Sequence, residues 1–238
     1  MITLGTLVNG IIPPRCLQCR QVVMEDHSLC PACFKLLVFI DGYNCRSCGL
    51  PLGKAGEHIG GFRCGSCILN PPNFYQTRVP FLYDQHSRKL ILSLKYADRT
   101  DLTKLIAGLM LKTLDDVLPS IDLIVPVPLH WQRLFRRTYN QAGLIAEKIA
   151  QKTGKKLLLS GLKRLIATPP QGKMTAKQRR RNVSNVFTVP ANRHSLIIDR
   201  SVLLIDDVMT TGATVSACTK ALLQASARQV IVCVFARA

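Results

Sequence analysis

An α/β fold, with a parallel sheet carrying helices on both faces and a small cysteine-rich module ahead of it, is the architecture this sequence predicts. Three observations carry that expectation. Apolar runs of strand length alternate with helical stretches from residue 77 onward, and such alternation argues for a parallel sheet covered on both sides. One of those runs ends in the adjacent acids Asp206 and Asp207 and passes through a turn of small residues into a helix. Eight of the 10 cysteines fall in four Cys-x-x-Cys pairs ahead of the first strand.

The elements follow in order. Pro71-Pro72 closes the cysteine region, which sets domains of residues 1–75 and 76–238. Residues 77–83 alternate as a strand does. Residues 87–97 and 102–118 have helical spacing, as in Leu102, Leu105, Ile106, Leu109 and Met110. Residues 122–127 read as a buried strand, 140–152 as a helix, 202–205 as the strand entering Asp206, and 229–235 as the last strand. Ligands of parallel sheets lie at the carboxyl ends of the strands, and both motif loops described next leave from those ends.

The first motif spans residues 202–214. Four apolar residues precede Asp206 and Asp207; Val208, Met209, Thr210, Thr211, Gly212, Ala213 and Thr214 then lead to a helix starting near Val215. Backbone N–H groups of such a turn and helix N-terminus can cradle a phosphate. The acids can hold a ribose diol or a divalent metal. No Gly-x-x-x-x-Gly-Lys-Ser/Thr occurs in the chain, so this is no P-loop. Over all thirteen positions it resembles the 5-phosphoribosyl-1-pyrophosphate (PRPP) signature of type I phosphoribosyltransferases.

The second loop leaves a strand at Pro126-Val127-Pro128 and carries Arg133, Arg136 and Arg137 before Asn140 and Gln141 open a helix. Guanidinium forks match phosphate oxygens, and Asn140 can cap the helix. Between Arg164 and Phe187 lies a polar, basic stretch with Lys173, Lys177, Arg179, Arg180 and Arg181. Its lack of apolar periodicity predicts a mobile loop. Such a loop can fold over a substrate, and its arginine triplet equally suits a nucleic-acid backbone.

Two thiolates separated by two residues can bite one tetrahedral Zn²⁺, so the four pairs provide for two structural ions. The simplest arrangement is sequential: Cys16, Cys19, Cys30 and Cys33 on one ion, and Cys45, Cys48, Cys64 and Cys67 on the other. A cross-braced pairing fits the spacing too. A segment this small buries too little surface to fold alone, so metal binding supplies its folding energy. His27 and His58 read as solvated loop residues, with substitute ligation the alternative. Cys218 and Cys233 stand alone in apolar surroundings and read as buried small hydrophobes.

The net charge is +18, with 26 Lys and Arg against 10 Asp and Glu from Gln76 onward and 6 against 4 before it. A basic surface on this scale attracts polyanions, nucleic acid foremost, and also suits highly anionic PRPP. No apolar run reaches the ~18 residues of a membrane span. The segment before Arg15 lacks a basic lead and a small-residue cleavage site, which predicts a cytoplasmic protein.

Taken together, the chain resembles the ComF/GntX family, a double zinc ribbon fused to a type I phosphoribosyltransferase domain. The matching residues are the four cysteine pairs; Leu94-Lys95-Tyr96; Pro126 to Leu129 with Arg133 and Arg137; Asn140-Gln141-Ala142; Arg164, Thr168 and Gln171; Arg179 with Asn182; and residues 202–214. Thr138-Tyr139 stands where the family usually has Gly-Phe. The resemblance implies a competence-type protein helping to take in transforming single-stranded DNA at the inner face of the membrane, alongside uptake or helicase partners. It also implies Mg²⁺-PRPP held by Asp206, Asp207, the 208–214 turn, Arg133, Arg137, Lys95, Asn140 and Gln141. The alternative is a phosphoribosyltransferase enzyme acting on an unassigned acceptor with no direct DNA role.

Overall fold

Six strands, each paired in parallel, make the central sheet of the computed structural model, which describes residues 13–40, 42, 44–53, 63–129, 139–165 and 186–238. Among the described residues of the cysteine region two short helices occur, α1 (Pro31–Lys35) and α2 (Gly65–Leu69). Then come β1 (Gln76–Arg78), β2 (Phe81–Leu82), α3 (Gln85–Tyr96), α4 (Leu102–Leu111), β3 (Leu123–Pro126), α5 (Gln141–Thr153) and β4 (Lys156–Leu157). The chain closes with β5 (Lys163–Arg164), β6 (Phe187–Thr188), α6 (His194–Ile197), β7 (Ser201–Met209), α7 (Ala213–Gln224) and β8 (Gln229–Arg237).

The strand order is β1-β8-β7-β3-β4, with β2 continuing along β8 in the register of β1. Pro80 separates β1 from β2, consistent with proline's missing N–H and its confinement to sheet edges. β5 and β6 form a separate antiparallel pair.

Period-two alternation decides which helices cover which face. Leu203, Ile205, Ile231 and Cys233 face one core with Leu90, Ile91 and Leu94 of α3, Ile106 of α4 and Ile145 of α5. Val202, Leu204, Val230 and Val232 face the other with Val215, Cys218 and Leu222 of α7. Burial of each such Leu or Ile contributes about 2 kcal/mol. The expected α/β class, with helices on both faces, is what the structure shows.

Three differences have physical causes. The helix expected over residues 102–118 ends at Leu111, and the next turns use i−3 hydrogen bonds, Leu114 N–H to Leu111 O and Val117 N–H to Leu114 O. Leu114 and Val117 stay buried, so the apolar spacing outlasts the helix. β7 continues through both acids to Met209, because β8 pairs with it as far as Met209 and Arg237. The β5–β6 pair was not expected, since two-residue strands carry no periodicity.

The free edge of β1 and β2 is covered by the cysteine region. Ile40 N–H donates to Pro80 O, Leu82 N–H to Val38 O, and Thr77 Oγ1 to Ser47 O at 2.7 Å. Arg78 meets Asp116 at 2.5 Å on the same edge. Covering an exposed edge prevents unwanted pairing with another chain.

Candidate functional site

At the carboxyl end of β7 the two acids stand on opposite sides of the strand. Asp207 reaches across to α3, where Lys95 Nζ lies 2.7 Å from its Oδ2. Helix α3 is started by a capping box: Asp84 Oδ1 accepts from the His86 and Ser87 N–H groups, and Asp84 N–H donates to Ser87 Oγ. That cap, worth about 1 kcal/mol, fixes where the helix begins and therefore where Lys95 falls in its last turn.

Asp206 lies on the side of α7. Its Oδ1 accepts the N–H of Asp207 at 2.9 Å. Desolvation first, then the charge of Asp207, push its carboxyl up to about 7, while Lys95 and Arg164 pull the other way. Arg164, on β5, is thereby placed within electrostatic reach of Asp206. The same Asp206 charge, after burial, helps drive the Cys218 thiol upward. Cys218 and Cys233 are both fully buried, as their apolar surroundings lead one to expect.

Thr210 and Thr211 are exposed at the turn, and Gly212 occupies the N-cap of α7 at φ +76°. Only glycine adopts that conformation freely. Gly212 has no side chain to cap α7, and within the turn the Ala213 N–H donates to Thr211 Oγ1 at 3.4 Å. The turn residues, both acids, Lys95 and Tyr83 line one cavity of about 230 Å³. Among the residues expected at the site, the structure thus gathers Lys95, Asp206, Asp207 and Val208 to Thr214.

Asn140 does hold the N-cap position of α5, but its side chain does not cap the helix. Its Nδ2 donates to Val127 O at 3.0 Å, tying together the two ends of the Pro126 loop. Gln141 is buried beside it. Tyr139 Oη donates to Leu94 O, next to Lys95. Arg133 and Arg137, the basic residues Lys173, Lys177, Arg179, Arg180 and Arg181, and His58 lie outside the described residues.

The cysteines settle into two tetrads. Sulfurs of Cys16, Cys19, Cys30 and Cys33 lie within 4.8 Å of one another, and so do those of Cys45, Cys48, Cys64 and Cys67. The Cys19–Cys30 and Cys48–Cys64 separations are 3.6 and 3.7 Å. Zinc–sulfur bonds of about 2.3 Å in a tetrahedron set an edge of about 3.8 Å, so the residues fit zinc in the sequential arrangement. His27 is in neither tetrad; its Nδ1 sits 3.3 Å from Asp101 O.

The tetrads are built alike. Cys16 N–H donates to Gln21 O and Cys45 N–H to Leu50 O; Arg20 and Gly49 each follow the second cysteine with a positive φ. Cys30 and Cys64 each occupy the N-cap of a five-residue helix with nearly equal dihedrals. Within each tetrad the thiols split: backbone N–H groups bring Cys16 down to about 6 and Cys45 down to about 7 against burial, while burial and the neighbouring thiols push Cys33 and Cys67 well up.

One residue that sequence reasoning missed joins the two parts. Arg237, at the end of β8, is 9% exposed. Its Nε donates to Cys48 O at 3.0 Å and its Nη1 to Met209 O at 3.2 Å and to Thr210 O. A charge ending an apolar strand was its only signal.

Comparison with known proteins gives a double zinc ribbon domain at residues 7–68 and a phosphoribosyl transferase domain at residues 147–238. The chain is 29% identical over 230 residues, 94% of its length and 97% of the relative's, to Competence protein F of Haemophilus influenzae. It is 29% identical over 227 residues, 92% and 95% of the two chains, to the DNA utilization protein YhgH of Escherichia coli K12. Competence protein ComFC of Bacillus subtilis is 24% identical over 210 residues, 85% and 81% of the two. The resemblance drawn from the cysteine pairs and the 202–214 motif is borne out. Among the described residues no helix is long and apolar enough to cross a membrane.

Proposed function

We propose that this chain, a double zinc ribbon joined to a phosphoribosyltransferase domain, binds Mg²⁺-PRPP at the end of β7 and serves the uptake of transforming single-stranded DNA in the cytoplasm, at the inner face of the membrane. The observation that carries the sugar-phosphate part is the single cavity shared by Asp206, Asp207, Lys95 and the Gly212-capped turn. The 5′-phosphate sits on the N–H groups of the turn, and the ribose hydroxyls sit on the two acids. Mg²⁺ held with the acids would neutralise the pyrophosphate. Lys95, with Arg133 and Arg137 from the Pro126 loop, would stabilise the charge leaving C1, and the cavity walls fix the ribose in place.

The DNA part is supported by relatives named for competence and DNA utilization and by the basic balance of +18. The nucleic-acid contacts are assigned to Lys173, Lys177, Arg179, Arg180 and Arg181, with helicase or uptake proteins as neighbours. Fluorescence anisotropy with a single-stranded oligonucleotide across a salt series tests it. Several phosphate contacts give a steep loss of affinity with salt; no measurable affinity at low salt would remove the DNA role.

The second reading, transfer of phosphoribose to an unidentified acceptor, is favoured by the phosphoribosyl transferase match over residues 147–238. Pyrophosphate release from Mg²⁺-PRPP, assayed with and without single-stranded DNA, separates the two readings. Steady release without DNA supports an independent enzyme.

A further inference from the structure

We infer that Arg237 is a positioning residue that makes the second zinc ribbon part of the phosphate-binding turn, so that metal in that ribbon holds the turn in its binding geometry. The inference about affinity rests on the sugar-phosphate reading above; the inference about geometry does not.

The guanidinium lies where the two parts of the chain meet. Nε donates to the carbonyl of Cys48, a ligand of the second tetrad, and Nη1 donates to the carbonyls of Met209 and Thr210, which begin the turn. A planar guanidinium offers donors in a fixed fork, so it can satisfy both carbonyl groups at once only if they keep one relative position. The Cys48 carbonyl is itself fixed from behind. Gly49 follows it at φ +70°, and a Cβ there would come within 2.6 Å of Val79 Cγ1 on the sheet edge. On the other side, Met209 O also accepts the N–H of Ala238.

Cys48, Cys64 and Cys67 share the lining of one cavity of about 370 Å³ with Met209, Thr211, Gly212 and Arg237. The ribbon and the turn therefore border the same cavity, and Arg237 bridges them. A ribbon whose fold depends on metal delivers the Cys48 carbonyl only when loaded. Without it, a guanidinium 9% exposed loses an acceptor, and a buried donor left unpaired costs more than the bond was worth. The turn must then shift to re-pair it.

The test is hydrogen–deuterium exchange, in the ligand-free full-length chain, at the amides hydrogen-bonded to the turn, Ser216 N–H to Gly212 O and Ala238 N–H to Met209 O, with zinc counted by inductively coupled plasma mass spectrometry and Mg²⁺-PRPP affinity by calorimetry. Four proteins are compared: wild type, Arg237→Met, Cys64→Ser/Cys67→Ser, and the combination. Arg237→Met is expected to keep both zincs yet speed turn exchange at least tenfold; the cysteine pair variant is expected to do the same with one zinc, and the combination to add less than twofold. Arg237→Lys, which offers a point charge and no fork, should likewise keep both zincs without restoring turn protection. Turn exchange unchanged in Arg237→Met or in the cysteine pair variant, or effects that multiply in the combination, would overturn the inference. Coupled exchange in a protein that binds no PRPP would support the positioning role and reject the sugar-phosphate reading alone.

Discussion

The ammonium of Lys95 lies 2.7 Å from Oδ2 of Asp207, joining the last turn of α3 to the end of β7 across the mouth of the cavity. Both side chains are largely buried, and Lys95 also holds the neighbouring Asp206 down against its desolvation. Removing one partner of a buried pair leaves the other charge uncompensated. Lys95→Met is therefore expected to lower ligand-free stability at pH 8 by about 2 kcal/mol. It should also weaken Mg²⁺-PRPP at least tenfold and move the pH at which binding rises upward. Urea denaturation and calorimetry across pH check all three outcomes.

Asp206 predicts a stability profile of unusual sign for a carboxylate. Its folded value is raised from 3.8 to about 7, so the fold binds its proton more tightly than the unfolded chain does. The stability this provides is complete below about pH 4 and is lost as pH rises through 7. Asp206→Asn should raise the ligand-free Tm by about 4 °C at pH 8, leave it nearly unchanged at pH 4, and impair PRPP binding. Binding by the wild type should strengthen as pH rises through 7, because the ionised carboxylate is the useful form. Equal melting shifts at both pH values would count against this assignment.

Much of this was legible because single residues act locally. The apolar run before Asp206, the turn glycine and the cysteine spacing each carry their own physical reason. The less legible features depend on partners far along the chain. Arg237 finds Cys48 O across 189 residues, and Asn140 forgoes its helix to reach Val127 O. Residues 112–118 carry a helical rhythm without being helix, because Leu114 and Val117 keep the apolar spacing in turns.

Gly49 and Gly53 separate strain from crowding. Both have positive φ, but a Cβ at Gly53 meets open space whereas one at Gly49 meets Val79 Cγ1 at 2.6 Å. Gly53→Ala should cost about 1 kcal/mol and Gly49→Ala about 3 kcal/mol. Adding Val79→Ala to Gly49→Ala should recover part of the loss. Guanidinium denaturation with zinc counting reads both.

Zinc stoichiometry tests the tetrads. The wild type should hold two ions per chain, and Cys16→Ser/Cys33→Ser should leave one, since both changes fall in the same tetrad. Cys16→Ser/Cys67→Ser should empty both sites. A cross-braced arrangement would distribute these losses differently.

The sharpest test is calorimetric titration of Mg²⁺-PRPP at pH 8 into the wild type and into Asp206→Asn/Asp207→Asn, with circular dichroism confirming the fold of each. One saturable site in the wild type, absent from the folded double variant, is the predicted result. Equal affinity in both proteins would contradict it, because the ligand would then be held somewhere other than the end of β7.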